Sequence, residues 1–170
     1  LARIKDRGVL IGLTLSGPDQ AAVLERAMAI AVDGAPLFDA VQATWNLLEP
    51  SAGPALAAAH AAGLGVVIKE GLANGRLTSR NRAPGFAEKR RRLADLAQER
   101  NIGIDSMALA GALAQPWADV VLSGAATTAQ LRSNLRAAAL GWDERAAEMA
   151  QALAEPPDAY WHTRSKLDWN

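Results

Sequence analysis

The part of the sequence richest in reactive groups follows a short apolar run near the middle of the chain. Gly65-Val-Val-Ile-Lys69 has the length and composition of a buried strand, and a loop with charges and glycines, Glu70 to Arg76, comes directly after it. α/β proteins build their sites at the carboxyl ends of their strands. Lys69 could act there as a Schiff-base nucleophile in a lyase, or it could form an ion pair with Glu70. The residue types leave both alternatives open.

A second candidate site lies where the apolar run Asp119-Val-Val-Leu122 leads into a helix. Ser123-Gly-Ala-Ala126 joins the two with almost no side-chain bulk, and Thr127 with Gln130 fits a capping box. The free N–H groups at a helix start attract anions, and small residues let a ligand approach the backbone. We therefore expect an anion to bind at this junction.

Two amides suggest a third group of binding residues. Gln42 lies within the apolar run 38–45, and Asn46 follows it. A buried amide needs hydrogen-bond partners, which either the carboxamide of a ligand or the protein backbone could supply. Other polar residues favour structural roles. We expect His60 to be a packed or half-exposed residue, the basic run 89–92 to form ion pairs along a helix, and neither a metal nor nucleic acid to bind.

Length and composition limit the class of protein. The 170 residues are 50% hydrophobic, enough for one domain with a core, and 18 Lys and Arg balance 18 Asp and Glu. The zero net charge gives no general attraction to nucleic acid or acidic membranes, and the lack of cysteine excludes disulfides and thiolate nucleophiles. No apolar run approaches the roughly 20 residues of a membrane span, and no signal peptide opens the chain, so we expect a soluble, cytoplasmic protein. The first residue is Leu1 rather than Met, which leaves open whether the chain is a fragment.

Apolar runs of strand length alternate with alanine-rich helical patterns, which predicts an α/β fold with a parallel sheet and crossover helices. The predicted strands are 10–15, 38–45, 65–69 and 119–122; the predicted helices are 18–33, 51–63 with Ser51 as its cap, 86–100, 105–115, one that starts at Thr127, and a last one from Asp143 to before Pro156. We expect a single domain over residues 1–170 with a tail from about 155. Four strands are too few for a flavodoxin-like sheet or a closed barrel, and neither a Rossmann nor a Walker motif is present.

Three of these segments together resemble the C-terminal half of the aldo/keto reductase family. Phe38-Asp-Ala-Val-Gln42 with Asn46 looks like the sixth barrel strand of that family, residues 65–78 look like its seventh strand and loop, and residues 122–134 look like its eighth strand and the next helix. The doubled interval before the last strand fits an extra helix of the family. The resemblance implies a TIM (β/α)8 barrel of aldo/keto reductase type, of which this chain carries about the last four βα units.

The resemblance also implies an oxidoreductase, because the family reduces carbonyl compounds by hydride transfer from NADPH or, less often, NADH. Thr14 and Gln42 would then bind the nicotinamide carboxamide, and Lys69 would stand at the nicotinamide. The pyrophosphate would lie along Gly71, Leu72, and the backbone of Asn74 to Arg76. The adenosine end and any 2′-phosphate would be held by Gly124, Ala125, Thr127, Gln130 and Asn134. The small residues at the junction would let a nucleotide phosphate reach the N–H groups of the helix start.

The sequence departs from the family pattern at several of these positions. Lys69-Glu-Gly-Leu72 stands where the family often has Tyr-Ser-Pro-Leu, which removes the aromatic stacking under the nicotinamide. Gly124 and Gln130 stand where basic residues often bind the 2′-phosphate, and Arg76 or Arg132 could replace them. The catalytic Asp, Tyr, Lys and His of the family come from its first four strands, which this sequence does not contain. We therefore assign no catalytic residue and expect this chain alone to be inactive.

A half barrel would have two unpaired strand edges and an exposed inner face. We therefore expect a partner, either a missing N-terminal half barrel or a second copy of this chain. The alternative function is a non-enzymatic half-barrel module that self-associates or binds a partner. Near the C-terminus, Tyr160-Trp161-His162 and Trp169 could border the pocket for the carbonyl substrate or pack against the barrel rim.

Overall fold

The computed structural model describes residues 1–167 of the chain. Its strands are β1 (Gly12–Thr14), β2 (Ala31–Val32), β3 (Ala35–Pro36), β4 (Ala40–Thr44), β5 (Gly65–Lys69) and β6 (Val120–Val121). Its α-helices are α1 (Ala2–Lys5), α2 (Gln20–Met28), α3 (Gly53–Ala61), α4 (Ala87–Glu99), α5 (Ile104–Leu113), α6 (Thr128–Leu135), α7 (Glu144–Leu153) and α8 (Pro157–Arg164). Short 3-10 helices lie at Ala73–Gly75, Pro84–Phe86 and Arg136–Ala139.

The four predicted strands form one parallel sheet in the order β1-β4-β5-β6, which confirms the parallel α/β prediction. The register places Thr14 of β1 beside Gln42 of β4, and Thr44 of β4 beside Lys69 of β5. The carboxyl ends of β1, β4 and β5 therefore lie together at one edge of the sheet, where polar side chains follow the strands.

One face of the sheet forms the core, because alternate strand residues point toward the helices. Val41, Ala43, Val66 and Ile68 are fully buried on this face and belong to the same apolar cluster as Leu24, Leu56 and Met107 from the helices. The buried amide of Gln20 attaches α2 to the sheet. Its nitrogen donates to the backbone carbonyl of Thr44 at 2.9 Å, and its oxygen accepts from the backbone N–H of Thr44 at 3.2 Å.

The opposite face of the sheet is uncovered by any helix among residues 1–167. Val120 and Leu122 on β6 and its continuation are 48% and 43% exposed, and Thr14 at the other edge is exposed as well. Gln42 and Val67, which lie between the edges, are half-buried. The helix-covered face and the open face thus differ sharply in solvent contact.

The predicted helix over 18–33 is wrong in its last five residues, 29–33. Helix α2 ends at Met28, and β2 and β3 then form an antiparallel hairpin in which Val32 pairs with Ala35. Asp33 and Gly34 at its tip have φ angles of 51° and 80°. Two left-handed residues define a type I′ turn, the connection that Asp-Gly favours between two strands.

Helix starts agree with the sequence at two positions and differ at two others. Thr127 forms the expected capping box with Gln130, and the carboxylate of Asp143 accepts from the N–H of Ala146 at the start of α7. Ser51 is not a helix cap, because α3 begins at Gly53 and the Ser51 hydroxyl instead donates to Glu49. The predicted tail contains a further helix, α8, which opens with Pro157. Proline suits the first turn of a helix since its missing N–H has no partner to lose there.

Candidate cofactor site

The loop after β5 has an unusual backbone. Glu70, Ala73 and Asn74 have left-handed φ angles of 56°, 49° and 52°, which residues other than glycine rarely adopt. The backbone N–H groups of Gly71, Leu72 and Asn74 donate no hydrogen bond to any of residues 1–167. Consecutive N–H groups in turns of this type form concave anion-binding surfaces. The loop thus provides backbone donors where the pyrophosphate of a dinucleotide is expected.

Side chains far along the chain hold this loop. Asn46 donates to the carbonyl of Glu70 at 3.0 Å, while the carboxylate of Glu70 pairs with Arg164 at 2.8 Å. The guanidinium of Arg76 binds Glu155 through two bonds of 2.9 and 2.8 Å. Burial alone would raise the pKa of Glu155, but the hydrogen bonds from Arg76 and Lys89 hold this pKa below its usual value. Side chains therefore fix both ends of the loop.

The junction between β6 and α6 has local support. Gly124 has a φ of 61°, and the Gln130 side chain accepts from the N–H groups of Ala126 and Thr127 at 2.8 and 3.1 Å. Asn134, one turn further, donates to the carbonyl of Ser123 at 3.0 Å. Its side-chain oxygen Oδ1 is buried and has no hydrogen-bond partner among the described residues. A buried acceptor without a partner is costly, so this oxygen is suited to accept a bond from a ligand.

A cleft of about 190 Å³ lies between the loop and the junction. Five of the predicted cofactor residues line it: Leu72, Gly124, Ala125, Gln130 and Asn134. Four further lining residues were not predicted: Thr78, Ser79, Arg80 and Asp105. Thr127 is not among the lining residues; it shapes the cleft through the capping box. Because Arg80 follows a glycine-rich loop, its position in the sequence was an available signal.

The three residues predicted at the nicotinamide share the open face of the sheet. Thr14 lies beside Gln42, and Lys69 lies on β5 two residues beyond Val67, the partner of Gln42. The Lys69 ammonium donates to the Ser16 hydroxyl at 2.7 Å, a contact that the sequence did not indicate. Burial lowers the pKa of Lys69, although the neighbouring carboxylate of Glu70 acts in the opposite direction. The possible Lys69–Glu70 ion pair is not formed, since Glu70 pairs with Arg164.

Several other candidates have structural contacts. The Asn46 side chain accepts from the N–H groups of Leu48 and Glu49 and donates to the Tyr160 hydroxyl, so the protein itself satisfies this amide. Burial raises the pKa of the Tyr160 phenol, which makes it a poor proton donor. Trp161 packs edge-on against Tyr160, with 5.4 Å between the two ring centres.

The histidines and the basic run likewise make surface contacts. His60 is half-exposed beside Asp119 at 3.5 Å, and His162 is exposed on α8. Arg91 and Arg92 pair with Glu88 along α4, which confirms the predicted ion pairs for two residues of the basic run. Lys89 instead pairs with Glu155, and Arg90 donates to the carbonyl of Asn81. Trp169 lies outside the described residues. Residues 1–167 contain no group of three or more side chains that could hold a metal ion and no helix long and apolar enough to cross a membrane.

The parallel sheet with its helices and a cleft beside the carboxyl ends of its strands defines an α/β protein. The model of the aldo/keto reductase family matches residues 1–155, so the chain belongs to the aldo/keto reductase family. A comparison with curated proteins finds no match.

Solved structures of aldo-keto reductases share this fold. The thermostable aldo-keto reductase Tm1743, solved with the inhibitor epalrestat, is 20% identical with a TM-score of 0.68, over 89% of this chain and 52% of its own. The apo form of AKR11C1 from Bacillus halodurans is 18% identical with a TM-score of 0.69, over 91% and 55%. Its holo form is 17% identical with a TM-score of 0.67, over 91% and 54%. The chain thus spans about half the length of these proteins.

Proposed function

We propose that this chain is the C-terminal half of an NAD(P)H-dependent oxidoreductase that reduces aldehydes or ketones, and that it carries most of the cofactor site. The observation behind this proposal is the cleft that gathers Leu72, Gly124, Ala125, Gln130 and Asn134 between the loop and the junction. The cleft and the adjoining loop together suit the parts of a dinucleotide. The unbonded N–H groups of the loop suit the pyrophosphate, and the buried Oδ1 of Asn134 suits the amino group of an adenine.

The chain's own residues would bind and orient the cofactor. A bound NADPH supplies the hydride that reduces the carbonyl carbon. Gln42 and Thr14, at the carboxyl edge of the open sheet face, would bind the carboxamide and so fix which ring face points outward. Lys69, already bonded to Ser16, would place an ammonium rather than an aromatic ring at the nicotinamide. The proton for the carbonyl oxygen would come from the other half of the barrel, since Tyr160 is buried and bonded to Asn46.

The choice between NADPH and NADH would depend on Arg80. Arg80 and Asp105 are the charged residues that line the cleft, while Arg76 is engaged with Glu155. An arginine suits a 2′-phosphate because its planar fork can donate two hydrogen bonds. We therefore expect NADPH to bind more tightly than NADH.

Fluorescence titration of the full chain with NADPH and with NADH tests this function. Arg80→Ala should weaken NADPH binding about tenfold, on the order of 1.4 kcal/mol for a charged contact, and leave NADH binding unchanged. Arg82→Ala is the matched control, an exposed arginine that is not among the residues lining the cleft. If the wild-type chain binds neither dinucleotide, alone or with a complementary half barrel, the cofactor proposal is wrong.

The open sheet face favours a partner that completes the barrel. Val120 and Leu122 are exposed there, and both β1 and β6 lack a neighbour on their outer side among the described strands. The same surface supports the alternative, a non-enzymatic module that associates with a second copy. Light scattering, the dinucleotide titration and a reductase assay together separate the two. A stable homodimer without dinucleotide affinity would favour the module. A monomer that gains reductase activity with an N-terminal half barrel would favour the reductase.

A further inference from the structure

Helix α8 contacts Glu70, the first residue of the loop after β5. Arg164, the last residue of α8, bonds the carboxylate of Glu70 through Nε at 3.2 Å and through Nη2 at 2.8 Å. The two side chains are only 16% and 14% exposed. A planar guanidinium with two bonds to one carboxylate fixes orientation as well as distance. Glu70 is therefore held in place by a residue 94 positions away.

The segment that leads into α8 holds the other end of the loop. Glu155 accepts both bonds from Arg76, and the Arg76 guanidinium lies 5.6 Å from the ring centres of Phe86 and Tyr160. These cation–π contacts add to the ion pair in a largely dry setting. Tyr160 belongs to α8, so one short helix and its approach reach both ends of the loop.

Tyr160 also connects the two ends through a buried amide. Its hydroxyl accepts from Asn46 at 3.0 Å, and the same amide nitrogen donates to the carbonyl of Glu70. Tyr160 is fully buried, so water cannot replace this bond easily. The carbonyl and the carboxylate of Glu70 are thus both restrained, one through Asn46 and one through Arg164.

The loop needs such restraint because of its backbone. Glu70, Ala73 and Asn74 all adopt left-handed φ angles within five positions. Residues with side chains adopt this region at a cost and persist there only when surrounding contacts fix them. The contacts of α8 supply that restraint at the start of the loop, where the first of the three left-handed residues lies.

We propose that α8 is a clamp that holds the loop 70–76 in its strained, ligand-ready shape, with Arg164 and Tyr160 as positioning residues for dinucleotide binding. The binding part rests on the proposed function, but the clamp itself concerns only contacts of this chain. A loop that is fixed before the ligand arrives binds more tightly, because binding then costs less ordering entropy.

Hydrogen exchange of the full chain without ligand tests the clamp directly. In Arg164→Ala, the hydrogen-bonded amides of the loop, those of Ala73, Gly75, Arg76 and Leu77, should exchange about tenfold faster, while the amides of α3 and α4 keep their wild-type rates. NADPH affinity should fall about tenfold in the same variant. Lys166→Ala is the matched control, since it removes an exposed cation two residues further along and should change neither quantity.

Two milder variants keep the test valid if Arg164→Ala unfolds the protein. Glu70→Gln keeps the shape of the side chain and removes the charge, so it should speed loop exchange less than Arg164→Ala does. Arg164→Lys keeps the charge and should restore part of the protection and of the affinity. Wild-type loop exchange in both Arg164→Ala and Glu70→Gln would overturn the clamp. Faster loop exchange with no dinucleotide binding by the wild type would support the clamp and overturn the cofactor site.

Discussion

The loop at residues 70–76 and the junction at residues 122–130 border the same cleft, but different interactions hold them. The loop depends on residues far along the chain, since Arg76 pairs with Glu155 over 79 positions and Glu70 with Arg164 over 94. The junction depends on the Thr127–Gln130 capping box and on Asn134, which reaches back 11 positions. One wall of the site therefore requires the tertiary fold, while the other is determined by the residues next to it.

The largest expected effect comes from Arg76→Ala in the loop. The change removes both bonds to Glu155 and two cation–π contacts, and it leaves a mostly buried carboxylate with Lys89 as its cation. We expect the free energy of unfolding to fall by about 2 kcal/mol or more, as for other broken buried pairs. Urea denaturation measures it. Arg132→Ala, which removes an exposed arginine of α6, should stay within about 0.5 kcal/mol of the wild type.

Acid should weaken the loop and spare the junction. The pKa of Glu155 is held low in the folded state, so its stabilisation is complete above the usual glutamate pKa and is lost as the pH falls through the lower folded value. Glu155→Gln should cost about 1–2 kcal/mol at pH 7, and its stability curve should approach the wild-type curve as the pH falls below the usual glutamate pKa. Residues 122–130 contain no ionisable side chain. Unfolding measured from pH 3 to 7 should therefore give parallel curves for the wild type and Thr127→Ala.

A carboxylate near the loop provides a control of opposite sign. Burial raises the pKa of Glu49, and its hydrogen bond with Ser51 opposes this only in part. A group with a raised folded pKa contributes stability at low pH that is lost as the pH rises through that value. Glu49→Gln should therefore gain stability relative to the wild type as the pH rises. The same sign for both glutamine variants would contradict this account of the loop.

The same contrast explains what the sequence could predict. The capping box was predicted because Thr127 and Gln130 are three residues apart, and the four strands because apolar runs end at Gly, Pro or Asp. The pairs that hold the loop could not be predicted. With 18 basic and 18 acidic residues, nothing local indicates that Arg164 belongs with Glu70.

The missed secondary structure has local causes. Helix α8 was missed because Pro156-Pro157 was interpreted as a helix end, although proline also opens helices. The hairpin was missed because Asp33-Gly34 follows an alanine-rich segment that favours helix. In the site, Asp105 on α5 reaches the cleft only through the tertiary fold, whereas Arg80 follows the glycine-rich loop directly.

At the junction, a single hydroxyl should account for most of the local support. Thr127→Ala removes the acceptor for the N–H of Gln130 and should lower the free energy of unfolding by about 1 kcal/mol. Thr127→Ser should retain most of it, and Thr128→Ala, at the next exposed position, should have little effect. If Thr127→Ala is as damaging as Arg76→Ala, the junction is not held locally.

One glycine from each wall gives the smallest and most specific test. Gly124 has a left-handed φ of 61° and open space around a Cβ, whereas a Cβ on Gly71 would lie 3.0 Å from the Leu109 side chain. Gly124→Ala should lower the free energy of unfolding by about 0.5–1 kcal/mol through backbone strain alone. The strain itself costs more, but alanine also lowers the conformational entropy of the unfolded chain, which offsets part of it. Gly71→Ala should be close to neutral if the buried Leu109 side chain shifts by a few tenths of an ångström to admit the Cβ.

Asparagine at the same two positions separates backbone strain from packing. Since asparagine tolerates left-handed φ angles better than alanine, Gly124→Asn should be less damaging than Gly124→Ala. Gly71→Asn should be more damaging than Gly71→Ala, because the larger side chain would press further into Leu109 at a buried position. The opposite order at either position, measured by urea denaturation, would mean that packing shapes the junction or that backbone strain shapes the loop at Gly71.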